Sequence, residues 1–262
     1  IQGNEETEIT NFCKDTRIIK KGDTYIGIKG ENFDGNTLWQ KAFEAGAETV
    51  IVEGIDFSKE NLEQYQNKNI IEVKDTIQAL ADIATYKRTS CKKDFQVVGV
   101  TGSVGKTSTK DIIANVVAQK YSTLKTQGNF NNNIGLPLTI LRYNGEEVMV
   151  IEMGMNHLEE IDYLTKIALP DIAAITNIGT AHIGELGSRE NILQAKMEIV
   201  HGMNHGTLVV NNDNDLLSTV HPEGISLKTI GIESDADLKA TDIILNEDMS
   251  SFRVKVDGKD YA

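Results

Sequence analysis

The chain has 262 residues, 40% hydrophobic and 6% aromatic, enough for one large or two modest domains with a substantial core. Lys and Arg number 26 against 39 Asp and Glu, a net charge of −13, which argues against nucleic acid or an anionic membrane surface as the main partner. Any phosphate bound by so acidic a chain needs a local positive site or a metal.

Cys13 and Cys91 are too few for a disulfide framework and sit in no metal-like spacing. A reduced, cytoplasmic setting is expected. No apolar run approaches the ~18 residues of a membrane span, so no membrane insertion is expected. The opening IQGNEETEIT has neither a methionine nor a signal h-region. The closing VKVDGKDYA reads as the middle of a strand pair, so both ends read as cut from something longer.

In chain order, TYIGI (24–28), TVIV (49–52) and IIEV (70–73) are short β-rich runs. TLWQKAFEA (37–45) suits a helix between the first two. Residues 75–90 read as an amphipathic helix with Asp75 as N-cap. The charged CKKD at 91–94 marks a boundary, giving domains 1–92 and 93–262. Beyond it, apolar strands at 96–100, 148–151, 172–176 and 207–211 alternate with helical patterns at 106–119, 134–143, 157–168 and 189–201. That alternation predicts an α/β fold with a mostly parallel sheet flanked by helices. The apolar runs VMVI and IAAI fit strands covered on both faces. Ligands of such sheets bind beyond the carboxyl ends of the strands, so the residues just after each strand carry the functional reading.

After strand 96–100 comes Thr101-Gly102-Ser103-Val104-Gly105-Lys106-Thr107-Ser108. Ile112, Ile113, Val116 and Val117 then mark an apolar helix face. Strand, glycine turn and helix form the context of a phosphate-binding loop: backbone N–H groups turn inward and the helix N-terminus adds positive potential. Lys106 can reach the outer phosphates, and Thr107 can ligate Mg²⁺. The strict G-x-x-x-x-G-K-[ST] form is not met, because Val100 stands where it asks for glycine. The alternative is a glycine-rich turn with a solvated lysine. No N-K-x-D guanine reader follows, so adenine is the expected base.

Glu152 directly follows VMVI, where phosphate-loop proteins keep an acid for Mg²⁺; otherwise it is an exposed strand-end glutamate. His182, in TNIGTAHIGELGS, should share that rim, although a lone histidine among glycines is commonly structural. Lys196 falls within the stripe Ile192, Leu193, Ile199 and Val200 of the helix 189–201. It either snorkels outward or is buried. Burial would lower its pKa, and the neutral amine could then form a carbamate with CO₂, an anionic ligand for a second Mg²⁺.

TGSVGKTSTKD, GNFNNNIGLPLTIL, VIEMGMNHLEEI and TNIGTAHIGELGS with ENILQAKMEI together resemble the Mur ligases, as do DTRIIKKGDTYIGIKGENFDG and EAGAETVIVE in the first domain. The resemblance runs from about residue 8 to 215. Within the family the wording is similar to the member that joins D-alanyl-D-alanine to UDP-N-acetylmuramoyl-tripeptide in peptidoglycan precursor synthesis, which serves cell-wall growth, cell shape and division. It implies an ATP-dependent ligase working through an acyl phosphate, with no nucleic acid partner; a monomer is expected. It implies a small UDP-substrate domain and a phosphate-loop ATPase domain, with the family's C-terminal Rossmann-like domain absent from this chain. By matching position, residues 102–108 and Asn133 would bind ATP. Asn133, Thr16 and Arg17 would meet the UDP substrate. Lys106, Glu152, His182 and Lys196 would carry catalysis. Thr107, Glu152, His182 and a carbamylated Lys196 would hold two Mg²⁺. Another amino-acid ligase of the superfamily, such as a folylpolyglutamate synthase or another Mur step, and a non-catalytic nucleotide-binding module are the alternatives.

Overall fold

The computed structural model describes residues 2–4, 6–9, 11–92, 94–247 and 249–261. The chain divides into two compact units, Ile1–Lys87 with Ile140–Arg142, and Arg88–Thr139 with Tyr143–Ala262.

The first unit carries a parallel sheet of β1 (Phe12–Cys13), β2 (Thr24–Ile26), β3 (Thr49–Glu53) and β4 (Asn69–Val73), adjacent in chain order. Helix α1 (Trp39–Glu44) covers it after a short 3-10 turn. Asp34 caps that turn by accepting from the Asn36 N–H at 2.9 Å. Trp39 packs edge-on against Tyr65 at 5.1 Å and Phe43 at 6.1 Å, above Val50, Val52 and Ile70. Aromatics are few in this chain, and their grouping here fixes the small core. Helix α2 (Thr76–Thr89) follows, with the Asp75 carboxylate accepting the Gln78 N–H at 2.9 Å.

The second unit runs β5 (Gln96–Thr101), α3 (Lys106–Val117), β6 (Thr123–Lys125), α4 (Gly135–Leu141), β7 (Val148–Glu152), α5 (Glu160–Ala168) and β8 (Ile172–Ile175). It continues with α6 (Ile183–Leu186), α7 (Arg189–Met197), β9 (Thr207–Asn211), β10 (Ser226–Gly231) and β11 (Leu238–Lys239). The strands form one sheet in the order β11-β10-β9-β8-β5-β7-β6, with every pairing parallel. β5 lies between β7 and β8. Its register sets Val100 beside Glu152 and Thr101 beside Ile175, so these three strands end level.

Side chains of β5 alternate between the faces. Val98 and Val100 pack with Val148, Val150, Ala114, Ile113 and Val117. Gly99, on the other face, lies against Met153 and Ile199. The expected apolar face of α3 is therefore only half right. Ile113 and Val117 pack inward, whereas Ile112 and Val116 are 64% and 66% exposed. At 100° per residue the inward stripe runs through 110, 113, 114 and 117, and Lys110 takes its place in it. Beyond this sheet, β12 (Thr241–Leu245), β13 (Ser250–Val256) and β14 (Lys259–Tyr261) form an antiparallel sheet. β13 and β14 join through Asp257-Gly258, both left-handed, the tight turn that right-twisted strands favour.

Helix α5 begins at Glu160, three residues later than the pattern suggested, because Glu159 is left-handed at φ 70°. The buried Glu198 carboxylate accepts the N–H groups of Glu159 at 2.8 Å and Asp162 at 3.1 Å, a charge placed at the positive end of α5. α7 ends at Met197 and tightens into a 3-10 turn over Glu198–Gly202. The Thr165 hydroxyl donates to the Ile199 carbonyl of that turn at 2.7 Å. Among the described residues no helix is long and apolar enough to cross a membrane.

The 198–202 turn presses so close to α5 that a methyl group on Gly202 would meet the Thr165 carbonyl. Gly202→Ala is expected to destabilise the fold by about 1–3 kcal/mol through overpacking, read as a lower urea midpoint with an unchanged m-value. An unchanged midpoint would mean that the turn can relax away from α5.

Candidate active site

The site grows from the level ends of β5, β7 and β8. After Thr101 the chain enters Gly102 at φ 147°, where an added methyl group would meet the Thr176 hydroxyl just past β8. Gly105 is left-handed at φ 79° and starts α3. Two backbone conformations that favour glycine thus turn the chain from strand to helix. Residues after β8 hold the turn. The Ser103 N–H donates to the Asn177 carbonyl at 3.0 Å, and the Val104 N–H to the Asn177 side-chain oxygen at 3.1 Å. The Thr176 hydroxyl donates to the Val104 carbonyl at 2.7 Å, and the Gly179 N–H to the Ser103 hydroxyl at 3.0 Å. Val104 projects outward and meets the loop only through its backbone, so its apolar side chain costs the turn nothing. Ser108 is exposed on the first turn of α3.

Glu152 closes β7, buried at 2% exposure. One carboxylate oxygen accepts from the Thr107 hydroxyl at 2.8 Å and the other from the Asn131 amide at 2.8 Å. Its backbone N–H donates to the Thr126 hydroxyl at 3.0 Å. A hydroxyl and a carboxylate fixed together beside a phosphate-loop turn form a hard-oxygen donor pair of the kind Mg²⁺ takes alongside phosphate oxygens. The donor set therefore fits Mg²⁺ at Thr107 and Glu152.

The Lys106 ammonium folds back on its own loop, donating to the carbonyls of Gly102 at 2.8 Å and Ser103 at 3.4 Å. Burial draws its pKa below the ordinary lysine value, while the Glu152 carboxylate pulls the other way. Lys196 is 1% exposed on α7, between buried Ile192 and Ile199, and does not snorkel. Among the described residues no hydrogen bond or ion pair engages its amine. Burial, followed by repulsion from Lys106, draws its pKa down to about 7, so this amine lies within electrostatic reach of the loop lysine. His182 is half-buried and left-handed at φ 66°, leading into α6. Its loop is pinned by Arg189, which donates to the Ile178 carbonyl at 2.8 Å while forking onto Asp215 at 2.5 and 2.8 Å. Among the described residues no hydrogen bond joins the His182 ring to Glu152 or Lys196. None of them gather as three or more His, Cys, Asp or Glu side chains about one point.

Asn133 is exposed, and among the described residues no hydrogen bond joins it to Glu152. Its neighbours do the local work: Asn131 holds the carboxylate, and the Asn132 side chain caps α4 by accepting the Gly135 N–H at 2.8 Å. Thr16 and Arg17 lie in the first unit. Arg17 forks onto Asp15 at 2.9 and 2.6 Å and holds that carboxyl down at about 2. The sequence reading missed Asn131, Thr126, Thr176, Asn177 and Lys110. Thr176-Asn177 carried a usable signal, since they follow a strand of the same sheet.

Residues 100–262 match the Mur ligase middle domain and residues 8–88 the Mur ligase family catalytic domain. The UDP-N-acetylmuramoyl-tripeptide–D-alanyl-D-alanine ligase of Bacillus subtilis is 41% identical over 253 residues, 96% of this chain and 53% of that protein. Among solved structures, MurF of Acinetobacter baumannii superposes with a TM-score of 0.86 at 31% identity, over 98% of this chain and 55% of that one. MurF of Thermotoga maritima, solved in complex with ADP, gives 0.84 at 32% identity, over 98% and 58%. The chain spans about half the length of these relatives.

Lys196 predicts a pH signature. The unfolded chain keeps its proton up to the ordinary lysine value of 10.5, the folded chain only up to about 7. Between these values the unfolded state binds more protons, so this group's contribution rises with pH across that window and is least favourable below it. In CO₂-free buffer, Lys196→Met is expected to melt higher than wild type at pH 7, with the gap closing as pH approaches 10. Parallel melting curves across that range would place the amine in water.

Proposed function

The chain belongs to the Mur ligase family, and from that premise we propose that it supplies the UDP-substrate and ATPase domains of a ligase joining D-alanyl-D-alanine to UDP-N-acetylmuramoyl-tripeptide. The observation that carries this reading is Lys196: an amine 1% exposed on α7, engaged by no hydrogen bond or ion pair among the described residues, and drawn down to about 7 by burial and by Lys106 of the glycine turn. A plain nucleotide-binding module has no use for such an amine. The names of the relatives, and the ADP complex of one of them, support the same assignment.

The reaction brings two anions together, a peptide carboxylate and a triphosphate. The carboxylate oxygen attacks the γ-phosphorus and ADP leaves. The dipeptide amine then attacks the acyl carbon, and inorganic phosphate departs as the C–N bond forms and the nitrogen loses its proton. The N–H groups of residues 102–108 cradle phosphate oxygens at the start of α3. Lys106 exchanges its two loop carbonyls for the transferring phosphoryl group and neutralises charge there. Thr107 and Glu152 would hold one Mg²⁺. His182 and Lys196 would hold a second, once the neutral Lys196 amine had added to CO₂ and lost a proton to become an anionic carbamate. Bound Mg²⁺ supplies the charge neutralisation that lets the two anions approach. Asn133, exposed near α4, lies free to meet substrate, and Thr16 and Arg17 of residues 1–92 meet its UDP end. UDP-linked substrates fit a cytoplasmic enzyme of peptidoglycan synthesis, and a monomer is the expected form.

Coupled phosphate release tests this. For the complete ligase to which this chain contributes, turnover is expected only with ATP, Mg²⁺, UDP-N-acetylmuramoyl-tripeptide and D-alanyl-D-alanine all present. Steady release without the dipeptide, or with glutamate in its place, would refute the assignment. Lys196→Arg is expected to lower turnover by on the order of 100-fold or more, since a guanidinium forms no such carbamate; wild-type turnover would return Lys196 to a packing role.

A further inference from the structure

Lys110 is the one feature of α3 that the reading above leaves unused. It is 2% exposed, among the largest fully buried side chains, in the inward stripe with Ala114. A lysine so deep needs a partner that justifies its burial. Its ammonium donates to the Thr126 carbonyl at 3.0 Å and lies 3.2 Å from the Asp111 carboxylate, which also pairs with Lys125 at 2.8 Å. Asp111 thus ties α3 to the last residue of β6, and Lys110 fixes the residue after it. That residue, Thr126, turns its hydroxyl to the Glu152 backbone N–H at 3.0 Å, and its own N–H donates to the Val150 carbonyl at 3.1 Å.

Resting on the Mg²⁺ assignment to Thr107 and Glu152, we propose that Lys110 is a positioning residue for the metal. It anchors Thr126, and Thr126 sets the backbone of Glu152. Helix α3 reaches the strand-end carboxylate by two routes one turn apart, directly through Thr107 and indirectly through Lys110 and Thr126. Thr107 holds one carboxylate oxygen and Asn131 the other, but neither contact sets the backbone from which the carboxylate hangs. The second route fixes that backbone, so both oxygens keep their places. A lysine serving only to fill the core would stabilise the fold equally with and without metal.

Calorimetric titration of ADP, with Mg²⁺ and with EDTA, separates these cases. Lys110→Met keeps the apolar stem and removes the donor; it should weaken ADP binding ~10-fold with Mg²⁺, the scale for groups that orient metal ligands, and leave binding in EDTA unchanged. Thr126→Ala should show the same metal-specific loss, and the double variant no more than either single one. Should Lys110→Met fail to fold, Lys110→Leu, which also lacks a donor, carries the same test. Equal loss with and without Mg²⁺, no loss, or additive losses in the double variant would overturn the proposal. A wild-type protein whose ADP affinity gains nothing from Mg²⁺ would instead overturn the metal assignment itself, and this inference with it.

Discussion

The register of β5 against β7 places Val100 beside Glu152, and the rest of the site depends on it. A slip of one residue would turn Glu152 to the opposite face and carry it from Thr107, because side chains alternate along a strand. In the observed register the acid closes one strand just as the glycine turn opens from its neighbour, and the Thr107 hydroxyl spans the gap at 2.8 Å. β8 ends level on the other side of β5 and sends Thr176 and Asn177 across to hold the turn. Three parallel strands therefore bring the glycine turn, a fixed carboxylate and the His182 loop to one edge.

This edge must carry positive charge in a chain of net charge −13. It does so with few groups under tight control. Lys106 rests on its own loop carbonyls, available for exchange. Lys196 is buried where its charged form is disfavoured, both by desolvation and by Lys106. Lys110 is buried against the Thr126 carbonyl, with its charge matched by Asp111. The three lysines are thus differentiated by environment: one bonded to its own loop, one inclined to neutrality and one buried beside a carboxylate. Lys106 and Lys196, both drawn below the ordinary lysine value, mark the glycine turn as the candidate site.

What could be read in the sequence was local. Gly102, Gly105, Lys106 and Thr107 declare themselves within one turn, and the parallel sheet follows from apolar strands spaced by helices. Lys196 stood out because it interrupts an apolar stripe. Elsewhere the local pattern was ambiguous. In Asn131-Asn132-Asn133 three identical side chains differ only in direction, and the backbone turn gives the carboxylate to Asn131 and the helix cap to Asn132. Ile112 and Val116 carry the same apolar signal as Ile113 and Val117, but only the latter pair faces the sheet. Lys110 carried no signal of its own, since its burial depends on the strand β6 and on Thr126, 16 residues on. Short elements such as β6, β11 and α6 left no periodic trace to detect.

The central claim is that Glu152, set by Thr107, Asn131 and Thr126, is the protein's own anchor for Mg²⁺ beside the phosphate loop. Paramagnetic resonance of Mn²⁺ in the presence of ADP tests it most directly, with Glu152→Gln compared against wild type. The account predicts a protein-bound Mn²⁺–ADP signal in the wild type that is lost, or reduced to that of free Mn²⁺–ADP, in Glu152→Gln. An undiminished bound signal in the variant would contradict it.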